Sequence, residues 1–128
     1  MNTNRHSDVA QSIFEAMNSH NLMALEKNLA EHAILDFPGT GIIEGSRRII
    51  VFIKALLRKY PRLAFNVDDI IIDKERICVV WHNEGESSTG TAYANRGITL
   101  VHLAADKITL ISDYFKDTSF VPNKSKEQ

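Results

Sequence analysis

The hydrophobic pattern changes period at Arg62: before it apolar residues recur at helical spacing, and after it they alternate as strands do. In the second half, Leu63, Phe65 and Val67 alternate. Asp68-Asp69 followed by Ile70-Ile71-Ile72 shifts the phase, which predicts a bulge or bend near Asp68. Asp73-Lys74-Glu75-Arg76 reads as a turn, Ile77 to Glu84 as the next strand, and Gly85 to Gly90 as a loop. Tyr93 to Phe115 then forms two strands joined at Ala104-Ala105-Asp106-Lys107, rich in Ile, Thr, Leu, Val and aromatic residues.

The first half reads as helices with short strands between them. Residues 1–6 form a frayed leader, and Ser7 or Asp8 caps a helix carrying Val9, Ile13, Phe14 and Met17 on one face. Asn18 to Asn21 breaks it, and Leu22 to Ala30 is a second short helix. Ala33 to Phe37 is a short strand stopped by Pro38-Gly39-Thr40-Gly41, with a smaller strand at Ile42-Ile43. Ser46 is placed to cap a third helix that runs to Tyr60 and ends at Pro61. Its wide stripe of Ile49, Phe52, Ile53, Leu56, Leu57 and Tyr60 predicts a helix lying across a sheet. Helices followed by an antiparallel meander predict an α+β fold, a curved sheet wrapped around the helices with a blind cavity at its open end. The whole of 1–128 reads as a single domain, with an ordered core at about 8–121 and a polar tail.

Charge and composition narrow the partners. A net charge of -1 and a pI near 6.5 give no basic face for nucleic acid or an anionic membrane surface. Arg47-Arg48 and Arg58-Lys59-Arg62 read as solvated helix faces. No run approaches the roughly 18 apolar residues of a membrane span, and the expectation is a cytoplasmic protein. A single cysteine, Cys78, excludes an internal disulfide and sits in an apolar run without a charge to activate it. His6, His20, His32, His82 and His102 fall at no ligand spacing, so no metal site is expected, and Gly39-Thr40-Gly41 lacks the rest of a nucleotide fingerprint.

The order of elements, with Phe37-Pro38-Gly39-Thr40-Gly41 before the long helix and Tyr93-x-Asn95-Arg96-Gly97, Asp106-Lys107-Ile108 and Asp113-Tyr114-Phe115 at the end, resembles the SnoaL-like branch of the nuclear-transport-factor-2-like superfamily. The likeness spans about Asp8 to Val121. It implies a cone-shaped α+β barrel with a deep apolar pocket, commonly dimerising through the outer face of the sheet, and cyclase, isomerase or hydrolase chemistry without a cofactor. Aligned with ketosteroid isomerases, the tyrosine position falls on Ile13, the base on Phe37 and the second acid on Thr99, so that set of groups is absent. The Asp-Tyr-Phe motif at Asp113 resembles the aspartate of the limonene-type epoxide hydrolases. Their Arg-x-Asp pair is replaced here by Val80-Trp81-His82-Asn83-Glu84.

Strand alternation then assigns faces. With Asp113 inward, Thr109, Ile111 and Phe115 follow it, and Thr99, Val101 and Leu103 share that side on the preceding strand. The same alignment turns Cys78, Val80, His82 and Glu84 inward and Trp81 outward, with core packing as the rival reading of Trp81. The expected pocket holds Phe37, Val80, Tyr93, Thr99, Val101, Ile111 and Phe115 around a small apolar molecule, with packing against the third helix as the commoner alternative for Tyr93. Asp113 is the expected general base, because a carboxylate within an apolar strand is costly to bury unless employed. His82 is its expected catalytic partner. Bland readings stand beside both: Asp113 anchoring a backbone N–H or Arg96, and His82 serving as a structural strand residue. Asp36 is explained well enough by capping the Gly39–Gly41 turn. A non-catalytic binding or assembly module is the rival function. Ile77, Val79, Trp81, Ile98, Leu100, His102, Leu110 and Tyr114 are expected on an outer face that forms a homodimer.

Overall fold

The computed structural model describes residues 3–117. Three helices, α1 (Thr3–Ser19), α2 (Leu22–Asn28) and α3 (Ser46–Lys59), pack on one side of a six-stranded sheet. The strands are β1 (Leu29–Phe37), β2 (Gly41–Glu44), β3 (Ala64–Asp73), β4 (Arg76–Glu86), β5 (Ala92–Ala104) and β6 (Lys107–Phe115). They lie in the order β2-β1-β6-β5-β4-β3, a curved and unclosed α+β sheet. The meander from β3 to β6 is antiparallel, as the turns predict, but β1 runs parallel to β6. The expected antiparallel meander is therefore present, and β1 adds a parallel pairing to it. The return of the chain from β1 to β6 passes through α3 and the whole meander, ample length for a parallel crossover.

Several boundaries differ from the sequence pattern. Helix α1 begins at Thr3, not at Ser7 or Asp8, because the expected leader has partners: His6 is buried and its Nδ1–H donates to the Lys74 carbonyl at 2.9 Å. Arg5 meets Asp106 at 3.1 Å. Strand β1 starts at Leu29, taking over the end of the expected second helix through its pairing with Ile108. The residue before α3 is Gly45 at φ 107°, and no side chain caps the helix, so the expected Ser46 cap is also corrected. The expected polar tail lies outside the described residues.

The bulge at Asp68 is present: Val67 pairs with Trp81 and Asp69 with Val80, leaving Asp68 as the extra residue. A second bulge leaves Thr109 unpaired between His102–Leu110 and Leu103–Ile108. Ile108, not Thr109, is therefore the fully buried residue, and the Thr109 hydroxyl donates to the His102 carbonyl instead. At the free edge of β3, Asn18 at the end of α1 exchanges two hydrogen bonds with the backbone of Phe65, at 3.0 and 2.8 Å.

The phase of β4 is the reverse of the expected one. Its uninterrupted register with β5 pairs Trp81 with Gly97, Val79 with Thr99 and Asn83 with Asn95, so odd-numbered positions of both strands share the inner face. Ile77, Val79 and Trp81 are buried there, with Trp81 2% exposed. Cys78, Val80, His82 and Glu84 lie on the outer face. Tyr114, Ile98, Leu100, His102 and Leu110 remain on the outer face as expected, and Ile71 joins them. Among the described residues no helix is long and apolar enough to cross a membrane.

Candidate functional site

The inner face of the sheet and the helices above it enclose a narrow cavity of about 50 Å³. Its wall is almost wholly apolar. Ile13, Phe14 and Met17 come from α1; Phe52, Ile53 and Leu56 from α3; Leu35 and Phe37 from β1; Phe65 from β3. These are the same helical stripes that the sequence periodicity marks, so the packing that stabilises the fold also shapes the site.

Aromatic rings run through the wall in a continuous series. Phe65 meets Trp81 at 5.3 Å between centroids, Trp81 meets Phe115 at 5.4 Å, Phe115 meets Phe37 at 5.2 Å, and Phe37 meets Phe52 at 5.0 Å. All four contacts are edge-to-face, the arrangement ring quadrupoles favour. At Tyr60, where α3 ends, Tyr93 packs at 4.9 Å, so Tyr93 both lines the cavity and holds the helix. Burial pushes the Tyr93 phenol above its usual range.

One carboxylate stands in this wall. Asp113 lies on β6 opposite Thr99 of β5, and the Thr99 hydroxyl donates to Asp113 Oδ1 at 2.6 Å. The Thr99 oxygen in turn accepts the indole N–H of Trp81 at 2.8 Å. The series Trp81–Thr99–Asp113 thus fixes one carboxylate oxygen. The other, Oδ2, meets no hydrogen-bond donor among the described residues. Burial raises the Asp113 pKa to about 6, the Thr99 hydrogen bond partly offsets this, and the negative charge of Asp36 adds to the rise. Near neutral pH the group is mostly carboxylate yet holds a proton readily, the condition for general base work.

Of the residues read from the sequence, Phe37, Tyr93, Thr99, Ile111, Asp113 and Phe115 stand in the cavity wall. Val101 is fully buried on the same face but packs in the core behind the wall. Val80 and His82 do not reach the cavity. The parity of the β4–β5 pairing sends both outward, where His82 Nδ1 contacts both oxygens of Asp68 at 2.9 Å in a half-exposed pair. His82 is thereby removed as the partner of Asp113. Asp36 does not cap the turn either. Thr40 closes it through its N–H and hydroxyl to the Phe37 carbonyl, while Asp36 accepts a hydrogen bond from Ser112. Trp81 and Asn83 were missed in the wall, although the parity of a hairpin with a short loop carries that signal. Among the described residues, no three His, Cys, Asp or Glu side chains come together as a metal site.

A model of the SnoaL-like domain matches residues 10–111. No curated protein matches the chain. Among solved structures, an NTF2-like protein from Anabaena variabilis superposes with a TM-score of 0.82 at 18% identity, over 94% of this chain and 94% of that one. A candidate SnoaL-like polyketide cyclase from a Jannaschia species gives a TM-score of 0.81 at 14% identity, over 88% of this chain and 86% of that one. The protein TerC, co-crystallised with polyporic acid, gives 0.80 at 14% identity over 90% and 94%. At these identities the likeness is one of fold.

Proposed function

The chain belongs to the SnoaL-like family of NTF2-like proteins, and on that footing we propose that it takes a small apolar molecule into the cavity and uses Asp113 as a general base upon it. The chemistry is of the isomerase, cyclase or hydrolase kind and needs no cofactor. The observation that carries this reading is a single carboxylate in an apolar wall, its Oδ1 held by Thr99 and its pKa raised to about 6. For a carbonyl substrate, Oδ2 takes a proton from the carbon next to the carbonyl. The C–H electron pair moves into the enolate. In an isomerisation the proton returns to a different carbon of the conjugated enolate; in a ring closure the enolate carbon attacks a second carbonyl of the same molecule, whose π pair becomes an alkoxide, and that oxygen takes the proton. The structural neighbours include a candidate polyketide cyclase and a candidate hydroxylase, and the first of these is in keeping with a cyclase reading.

The test is the exchange of the α-hydrogens of an apolar ketone, 2-tetralone, in D₂O, followed by NMR. The wild-type chain is expected to accelerate exchange, and Asp113→Asn to lose about 10²–10⁴-fold of that acceleration. Equal rates with the two proteins sink the catalytic role.

One observation favours a binding function instead. The Trp81 N–H and the Thr99 hydroxyl are committed to each other and to Asp113, so neither is free to stabilise an oxyanion. Ketone binding without any exchange selects this second reading.

We propose a homodimer through the outer face. Tyr114 is 59% exposed, Ile71 58% and Ile98 39%, with half-buried Val80, Leu100 and Leu110 beside them. The helices are committed to the opposite side, so an isologous two-fold contact through this face is the simplest cover for it.

A further inference from the structure

The cavity wall contains a further polar side chain, Asn83 on β4, which is 4% exposed and whose buried Oδ1 has no hydrogen-bond partner among the described residues. Buried side-chain oxygens are nearly always paired, and each exception calls for an explanation. Its cross-strand neighbour Asn95 cannot serve. The Asn95 Nδ2 hydrogens go to the Tyr93 hydroxyl and the Asp117 carbonyl, both at 2.8 Å, and its Oδ1 accepts from the Arg96 and Asp117 N–H groups. On the other side Asn83 pairs with Phe65, which brings only a ring. Leu in place of Asn83 is nearly isosteric and satisfies everything the ligand-free wall requires, so packing does not account for an amide there.

We infer that Asn83 is a specificity-determining residue: it hydrogen-bonds a hydroxyl group of the cavity's ligand at a point remote from Asp113. A hydroxyl both donates and accepts, so it matches a carboxamide completely. The register sets the separation of the two polar positions. Asn83 lies opposite Asn95 and Asp113 opposite Thr99, and Asn95 and Thr99 are four residues apart on β5, about 13 Å along the strand. The ligand class is therefore an apolar molecule with a hydroxyl at one end and its reacting carbon toward the other; such a molecule exceeds the about 50 Å³ of the ligand-free cavity, so the apolar wall parts to admit it. A site built to hydrogen-bond a hydroxyl discriminates strongly against analogues lacking it, because they leave the buried amide unpaired.

This inference rests on the reading that the cavity takes a ligand, and the experiment separates the two. Trp81 is the sole tryptophan and stands in the wall, so its fluorescence reports occupancy. The probes are 4-ethylphenol and 4-ethyltoluene, nearly isosteric and differing in hydroxyl against methyl. Dissociation constants are measured for the wild type, Asn83→Leu and Asn83→Ala. The preference for the phenol over the toluene is expected to fall about tenfold, equivalent to about 1.4 kcal/mol, in Asn83→Leu, and likewise in Asn83→Ala should the first variant not fold. Ligand-free Asn83→Leu is expected to melt at or above the wild-type temperature, whereas a purely structural asparagine would lower it. Binding of both probes with an unchanged preference overturns the role of Asn83 and leaves the ligand reading standing. Failure of both probes to bind the wild type overturns the ligand reading and this inference with it.

Discussion

Thr99 sits directly between the only tryptophan and the only carboxylate of the cavity wall, accepting from Trp81 Nε1 and donating to Asp113 Oδ1. Its one hydroxyl satisfies a buried donor and holds the charged form of a buried acid. Replacing it by Val keeps the shape and removes both functions. Thr99→Val is expected to raise the Asp113 pKa above about 6, since the hydrogen bond it removes is the one influence lowering it. It should also destabilise the fold by about 1–3 kcal/mol through the unpaired indole N–H. Carbon-detected NMR titration of the Asp113 carboxyl and thermal unfolding check the two parts.

The pH dependence of stability has a definite sign. The unfolded chain releases the Asp113 proton near pH ~3.9, and the folded chain at about 6. Between these values the native state binds the proton more tightly, so this group's contribution is largest below about pH 4 and declines as the pH rises to about 6. The total loss is about 3 kcal/mol. Asp113→Asn is expected to flatten that slope and to exceed the wild type in stability at neutral pH. Denaturant midpoints of both proteins across the range measure it, and a wild-type stability that rises relative to the variant over this window contradicts the assignment.

Gly97 touches the back of the site. A Cβ there would stand 2.3 Å from the Tyr114 carbonyl oxygen and 3.0 Å from the Trp81 ring. The carbonyl belongs to the neighbouring strand and cannot withdraw without breaking the β5–β6 pairing. Gly97→Ala is therefore expected to destabilise by about 1–3 kcal/mol and to shift the Trp81 emission. Unchanged melting and emission would show that the strands part more easily than their register implies.

The outer-face contact is tested where a charge cannot disturb the core. Ile98 is 39% exposed on that face, so Ile98→Glu leaves the monomer fold intact and places a carboxylate in the contact. Sedimentation at micromolar concentration is expected to give a dimer for the wild type and a monomer for the variant. An interface that survives dilution should bury more than about 1,000 Å² in total. A monomeric wild type removes the proposed contact.

The helices, the Asp68 bulge and the β3–β6 meander were legible because each is written in local periodicity or turn chemistry. Asp113 was legible too, as a charge in an apolar strand. The parallel pairing of β1 with β6 was not, because residues 34–36 and 110–112 are brought together only by the whole fold. The misplacement of His82 has a different origin. Alternation fixes faces within a strand but not between strands, and a one-residue difference in phase exchanges Trp81 and Asn83 for Val80 and His82. The register across the Ser87–Thr91 turn, with Glu86 opposite Ala92, decides the matter. Asn83 was hidden by the same error.

The place of β6 in the sheet bears on how the protein comes into being. It is the last strand among the described residues, yet it lies between β1 and β5, flanked by two strands on the side of β1 and three on the side of β5. During synthesis the first strands must wait with an unpaired edge until Lys107–Phe115 has emerged. Such late, distant pairing slows folding and leaves sticky edges exposed meanwhile. Without β6, the two-strand piece β2-β1 and the three-strand piece β5-β4-β3 have nothing to join them. Because Asp113 rides on the joining strand, the acid reaches its apolar surroundings only in the step that completes the sheet.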